Sequence, residues 1–356
     1  MQTVLTDSLE KVLGEAAPRP AELHDGAHVS GFLGEVLSVQ VALRTDEPEV
    51  RVGLSGGLAD RARLQVVRRV PVSSPAPEDP DAHYLVTEPG EYPDLLEPVT
   101  DGLVHLTPGR WEALWIDVVG TTEADPGDHE LTLSLTSPDS AEILGEQTVR
   151  LRLHPHRLPP LSITNTHWFH ADSLSTYYDV EVFSERHWEL IEAFLASARE
   201  MDVTSVLTPT WTPPLDTAEG HTRPFVQLIG IRETDGEYSF DLSRLDRWLG
   251  ICRELGFTGL EIAHLFTQWG AAHTPAIQVE TADRLAQRFG WHVAATDPAY
   301  RRLLESLIPA LREHLDRAWD GAVLWHISDE PHENHIEAYR AAKAQVEDLL
   351  KGAQLV

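Results

Sequence analysis

Two domains of different class are predicted: an N-terminal antiparallel β-sandwich over residues 1–155 and a C-terminal (β/α) domain of TIM-barrel type over residues 156–356. Three observations predict them. Apolar residues recur with a period of two from about residue 31 to 153. After the stiff linker HPHRLPP (154–160), short apolar runs alternate with segments of helical spacing. The length, 356 residues, suits about two domains of ~150 residues each.

In the first half, Val39, Val41 and Leu43 alternate with Gln40, Ala42 and Arg44; Leu131, Leu133 and Leu135 alternate with Thr132, Ser134 and Thr136; Val149, Leu151 and Leu153 alternate with Arg150 and Arg152. One face of each strand is therefore apolar. Pro- and Gly-rich connections at 73–80 and 125–128 separate the strands, as in a sandwich. In the second half, strands are expected at about 162–169, 203–208, 258–264 and 322–328, with an extra hairpin near 225–240. Ser184 caps a helix through Ile191, Phe194, Leu195, Ala198 and Met201. Ser243 and Asp246 have capping-box-like spacing before Leu245, Trp248, Leu249 and Cys252, and Gly256 stops that helix. Asp297 and Pro298 start a long helix through Leu303, Leu304, Leu307, Leu311 and Leu315, kinked at Pro309, and a fourth helix spans about 333–351. A TIM barrel needs eight βα units and ~250 residues. With only four in evidence, the expectation is a barrel whose C-terminal half lies outside this sequence, and whose isolated strand edges favour association or aggregation.

The stretch GAVLWHISDEPHENH (321–335) carries the chemistry: a strand-type apolar run ending in adjacent carboxylates, Asp329 and Glu330, followed by Pro331. Ligands of α/β sheets collect beyond the carboxyl ends of the strands, where ionisable groups are costly without a use or a partner. Two adjacent, desolvated carboxylates divide into one acid and one anion, the pair that glycoside hydrolysis requires. A plainer reading has Asp329 capping a helix that begins near Pro331.

Composition narrows the classes. Lys+Arg 28 against Asp+Glu 57 gives a net charge of -29, which repels nucleic acid and anionic membrane. One cysteine, Cys252, excludes an intrachain disulfide and a thiolate metal cluster, and its place on a helix's apolar face makes it a buried thiol. The N-terminus has acids where a signal peptide has a basic region, and no later stretch reaches the ~18 apolar residues of a membrane span, so the expected location is cytoplasmic.

The blocks THWFHADSL (166–174), LDTAEGHTRPFVQLIGI (215–231), HLFTQWGAAH (264–273) and HISDEPHENH (326–335) resemble glycoside hydrolase family 123, and within it the proteins carrying domain of unknown function 4091. EYPDLLEP (91–98) and RWEALWIDV (110–118) extend the resemblance over nearly the whole chain. It implies a β-sandwich followed by a TIM barrel, β-N-acetylgalactosaminidase activity on a carbohydrate substrate, no metal and no cofactor. It also implies that Glu330 is the general acid/base and that Asp329 stabilises the 2-acetamido group, which acts as the nucleophile.

Further candidates for sugar contact are Trp168, His170 and Asp172, which share parity at the exit of the first strand, and His264, Gln268 and Trp269 after the third. His326, Trp211 and, more weakly, Trp325 join them, as do Arg223 and Asp216 after the second strand, although each also has a reading as core packing or surface ion pairing. Eight of the ten tryptophans lie in the second half, which suits a carbohydrate site. Two other functions compete. One is a non-catalytic carbohydrate-binding protein. The other is a metal-dependent hydrolase using His326, His332 and His335, whose spacing is not the HExxH helical pattern. Oligomeric state is left open by the sequence.

Overall fold

The computed structural model describes residues 1–140, 142–159, 161–215 and 217–356, and the chain forms two compact units, Met1–Pro160 and Leu161–Val356. No helix among the described residues is long and apolar enough to cross a membrane.

The first unit contains β1 (Gln2–Asp7), β2 (Val29–Leu33), β3 (Leu37–Arg44), β4 (Glu49–Gly56), β5 (Ala62–Val72), β6 (Gly90–Pro98), β7 (Leu103–His105), β8 (Glu112–Val118), β9 (Gly127–Thr136) and β10 (Ile143–Arg157). They form two five-stranded sheets, β1-β3-β8-β5-β6 and β2-β10-β9-β4-β7. The period-two pattern sets the register. Leu131 pairs with Val149, and Leu133, Leu135, Leu151 and Leu153 share the buried face with them, while Thr132 and Thr148 join hydroxyls at 3.1 Å on the other. One core takes apolar residues from both sheets, each fully buried Leu or Val contributing roughly 1.5–3 kcal/mol. This unit departs from the expected antiparallel pattern at β2, which pairs in parallel with β10.

The second unit contains β11 (Thr166–His167), α1 (Ala171–Tyr178), α2 (Glu185–Glu200), β12 (Ser205–Thr208), β13 (Gly230–Thr234), β14 (Glu237–Asp241), α3 (Ser243–Leu255), β15 (Gly259–Ile262), β16 (Ile277–Glu280), β17 (Leu285–Phe289), α4 (Pro298–Ala318), β18 (Ala322–Trp325), α5 (Ile336–Ala344) and β19 (Gln354–Leu355). The main sheet is parallel throughout, in the order β11-β12-β15-β18-β19. Every residue of β12 and β15 is buried, as in a parallel sheet covered on both faces. Ser184 accepts from the His187 N–H at the start of α2, and Asp297 caps α4 through the Ala299 N–H. Leu303, Leu304, Leu307, Leu311 and Leu315 of α4 are all in the core.

Several expectations are corrected. The sheet has five parallel strands, not four, because two residues after the last helix, Gln354 and Leu355, pair with β18. Among the described residues the main sheet is open, which is no departure from the incomplete barrel expected. Leu242, not Ser243, occupies the cap of the helix after the hairpin, and the Asp241 carboxylate one residue earlier accepts from the Ser243 N–H. α1 and the hairpin β16-β17 are additional elements; β16 joins the expected hairpin in a small sheet, β14-β13-β16-β17.

Gly321, at the entrance to β18, is fixed by space alone. A Cβ there would lie 2.3 Å from the Thr258 carbonyl oxygen, which accepts from the Ala322 N–H at 2.8 Å. Gly321→Ala is therefore expected to lower unfolding stability by about 1–3 kcal/mol, read by urea denaturation; an unchanged midpoint contradicts this packing.

Candidate active site

Beyond Trp325 the backbone of β18 continues as His326, Ile327, Ser328, Asp329 and Glu330, and the segment leaving β15 pins it. The Leu265 N–H donates to the His326 carbonyl (3.1 Å), Phe266 to Ile327 (3.0 Å) and Trp269 to Asp329 (3.0 Å), while Ser328 Oγ donates to the Thr267 carbonyl (2.7 Å). That segment is itself held from below. The buried Tyr300 hydroxyl of α4 donates to the Leu265 carbonyl (2.7 Å), and Trp211 Nε1 donates to that of His264 (2.8 Å). The acid pair thus stands on a backbone bound to its neighbour.

Asp329 is half-buried and Glu330 is exposed, so the expectation that both carboxylates are desolvated holds only in part. Glu330 has φ 44°, in the left-handed region that costs a non-glycine residue roughly 1–3 kcal/mol and recurs at functional sites. Asp329 does not occupy a helix cap: the next helical turn is a 3₁₀ turn at Glu333–His335 with His332 before it, and α5 follows at Ile336.

Next to this exit lies a buried cluster around Glu261 of β15. Glu261 pairs in register with Leu324, so His326, two residues further on, returns to the same face. Glu261 Oε1 accepts from Trp168 Nε1 at 2.8 Å and lies 3.2 Å from His326 Nε2. The rings of His264 and His326 approach to 3.9 Å between centroids, with Trp168 nearly perpendicular to both. Burial, with smaller contributions from His326 and His170, drives the His264 pKa from 6.5 down to about 2, so this imidazole is neutral. Trp168 is 39% exposed, and its N–H is already engaged, so its ring is what remains for a ligand.

A second cluster joins the exits of β11 and β12. Arg223 holds buried Asp172 of α1 through two hydrogen bonds, Nε to Oδ2 (2.7 Å) and Nη2 to Oδ1 (2.9 Å), and also donates to the Leu215 carbonyl. Its Nη2 lies 3.0 Å from His170 Nδ1; a guanidinium only donates, so Nδ1 accepts. The pairing is buried, not the surface ion pair considered from sequence.

Among the candidates, the structure therefore groups Trp168, His264 and His326, and separately His170, Asp172 and Arg223. Trp269 is 49% exposed beside Asp329, and Gln268 is buried. Trp211 and Trp325 are corrected to core residues, 0% and 2% exposed, and cannot stack on a ligand. Asp216 lies outside the described residues. Glu261 was missed by sequence reasoning; the available signal was a lone carboxylate within the apolar run GLEIA.

Adjacent carboxylates thus stand at a parallel strand's exit, with the partly exposed Trp269 tied to Asp329 through the backbone. The model of the glycoside hydrolase 123 catalytic domain matches residues 168–356, and the chain belongs to glycoside hydrolase family 123. Among solved structures, a family 123 glycoside hydrolase from Clostridium perfringens, studied for glycolipid glycan hydrolysis, is similar with TM-score 0.67 and 13% identity, over 99% of this chain and 61% of that one. The chain thus spans about 61% of the length of that enzyme. Bacteroides uniformis β-glucuronidase 2 aligns with 98% of this chain and 31% of its own at TM-score 0.24 and 11% identity. No curated protein matches.

The depressed His264 pKa gives a pH dependence of defined sign. The unfolded chain takes up a proton near pH 6.5 and the folded chain does not, so this group's contribution to stability is complete above pH 6.5 and is lost progressively toward pH 2. The stability difference between the parent and His264→Gln is expected to shrink on acidification below pH 6.5, at most by about 1.4 kcal/mol per pH unit, in denaturation curves at stepped pH; a constant difference contradicts it.

Proposed function

We propose that the protein is a retaining exo-glycosidase that removes a terminal β-linked N-acetylhexosamine, of N-acetylgalactosamine type, by substrate-assisted catalysis. The observation that carries this reading is the Asp329-Glu330 pair at the exit of β18, inside the segment matched by the family 123 catalytic domain. The fold likeness to an enzyme studied for glycolipid glycan hydrolysis supports the substrate class. The sequential order of the parallel strands, without the reversal of doubly wound sheets, supports a barrel-type site at their carboxyl ends.

Glu330, reaching solvent, protonates the glycosidic oxygen as the bond to the anomeric carbon breaks. The 2-acetamido oxygen of the sugar attacks that carbon and forms an oxazolinium ring. Asp329, half-buried, accepts from the acetamido N–H and stabilises the positive charge that develops there. Glu330, now a carboxylate, then takes a proton from water as the water oxygen attacks the anomeric carbon and the bond from that carbon to the acetamido oxygen breaks, restoring the acetamide, so configuration is retained over the two displacements. This is the substrate-assisted exception to the scheme in which the second carboxylate is the nucleophile. Trp168 and Trp269 offer apolar faces for a pyranose ring, and the tie from the Trp269 N–H to the Asp329 carbonyl sets one indole's backbone against the acid pair.

Glu330→Gln is expected to lower kcat on an aryl N-acetylgalactosaminide by at least about 100-fold, and a thiazoline analogue of the sugar is expected to inhibit the parent competitively. Undiminished turnover by Glu330→Gln sinks the assignment. Glu330→Gly, which relieves the left-handed backbone, is expected to abolish turnover while keeping or raising thermal stability; a fall in the melting midpoint contradicts the strain at φ 44°.

A further inference from the structure

We propose that Glu261, His264 and His326 form a binding site for a divalent transition-metal ion of zinc type, set beneath Trp168 and separate from the reacting carboxylates. One ligand atom from each of the three residues lies within 4.8 Å of the others. All three side chains are withdrawn from solvent: Glu261 and His264 are 4% and 0% exposed, and the His326 side chain is 15% exposed.

The independent observation is in the imidazoles. Among the described residues, neither ring nitrogen of His264 has a hydrogen-bond partner, and Nδ1 of His326 is buried without one. Buried polar atoms are nearly always paired, and three orphaned ring nitrogens in two rings 3.9 Å apart are a concentrated exception. Two imidazoles and a carboxylate are a donor set that borderline divalent ions favour. In a tetrahedral site with metal–nitrogen bonds of about 2.1 Å, donor atoms lie roughly 3.4 Å apart, so closing the site requires side-chain shifts of about 1 Å. Trp168, donating to Glu261 Oε1, is placed to orient the carboxylate as the outer partner of a metal ligand does.

The histidine cluster noticed in sequence, His326, His332 and His335, shares only His326 with this site. The rings of His332 and His335 lie 5.9 Å apart between centroids, tilted by 57°, and are outside this group. The inferred ion instead clamps β15 and its exit to that of β18. It would hold His326, three residues before Asp329, without touching the proton that Glu330 transfers.

The test is made on the full 356-residue chain, stripped with a chelator and titrated with Zn²⁺ by calorimetry and with Co²⁺ by visible ligand-field absorption. One equivalent is expected, with a low-coordinate cobalt spectrum and a raised melting midpoint. Glu261→Gln, His264→Ala and His326→Ala are each expected to weaken binding by at least about 10-fold, whereas the double variant His332→Ala/His335→Ala retains parental affinity. Glu261→Gln is nearly isosteric and guards against loss of fold in the alanine variants, which circular dichroism checks. Absence of binding to the parent overturns the proposal. So does binding that survives both Glu261→Gln and His326→Ala, or binding that is lost only in the double variant.

Discussion

The second unit is organised around a carboxylate placed where a carboxylate is expensive. Glu261 sits in β15 as the only carboxylate among the described strands of its sheet, and burial of its charge is tolerable only with donors close by. Trp168, from the chain beyond β11, donates to it, and His326 Nε2, beyond β18, lies 3.2 Å away. A single buried acid therefore draws together the exits of the first and fourth strands, across the third. Removing it would leave an indole N–H and an imidazole without their anchor, so it specifies geometry as well as adding to stability.

The candidate acid pair inherits its position from that arrangement and from the backbone bonds between the two exits. Trp269, Ala271 and Glu330 all have positive φ, at 58°, 55° and 44°. These unfavourable conformations gather where the 265–271 segment meets the exit of β18, held by hydrogen bonds from Leu265, Phe266 and Trp269 and by the hydroxyls of Ser328 and Tyr300. Strain of this kind persists only where the surroundings over-determine it.

Much of this was legible in sequence. Alternating leucines in β9 and β10 revealed half-buried strands because the period is local, and Asp329-Glu330 stood out because acids at the end of an apolar run are chemically conspicuous. What stayed hidden depends on partners distant in sequence. Arg223 finds Asp172 across 51 residues, and Trp168 finds Glu261 across 93, through strand order that no local pattern encodes. Trp211 reads as a loop indole, yet its N–H is satisfied by the His264 carbonyl and the ring goes inward. β19 is two residues long, too short for any periodicity to register.

Arg223 illustrates how such a site acquires rigidity. It is fastened at once to the carboxylate of Asp172 on α1, to a ring nitrogen of His170 and to the backbone of Leu215. The loop that carries it cannot swing outward alone: it would have to drag the first helix along or expose a charge pair now shielded from water. The wall on that side is consequently set when the chain folds, and a ligand arriving there meets a shape already decided, with little ordering left for binding to accomplish.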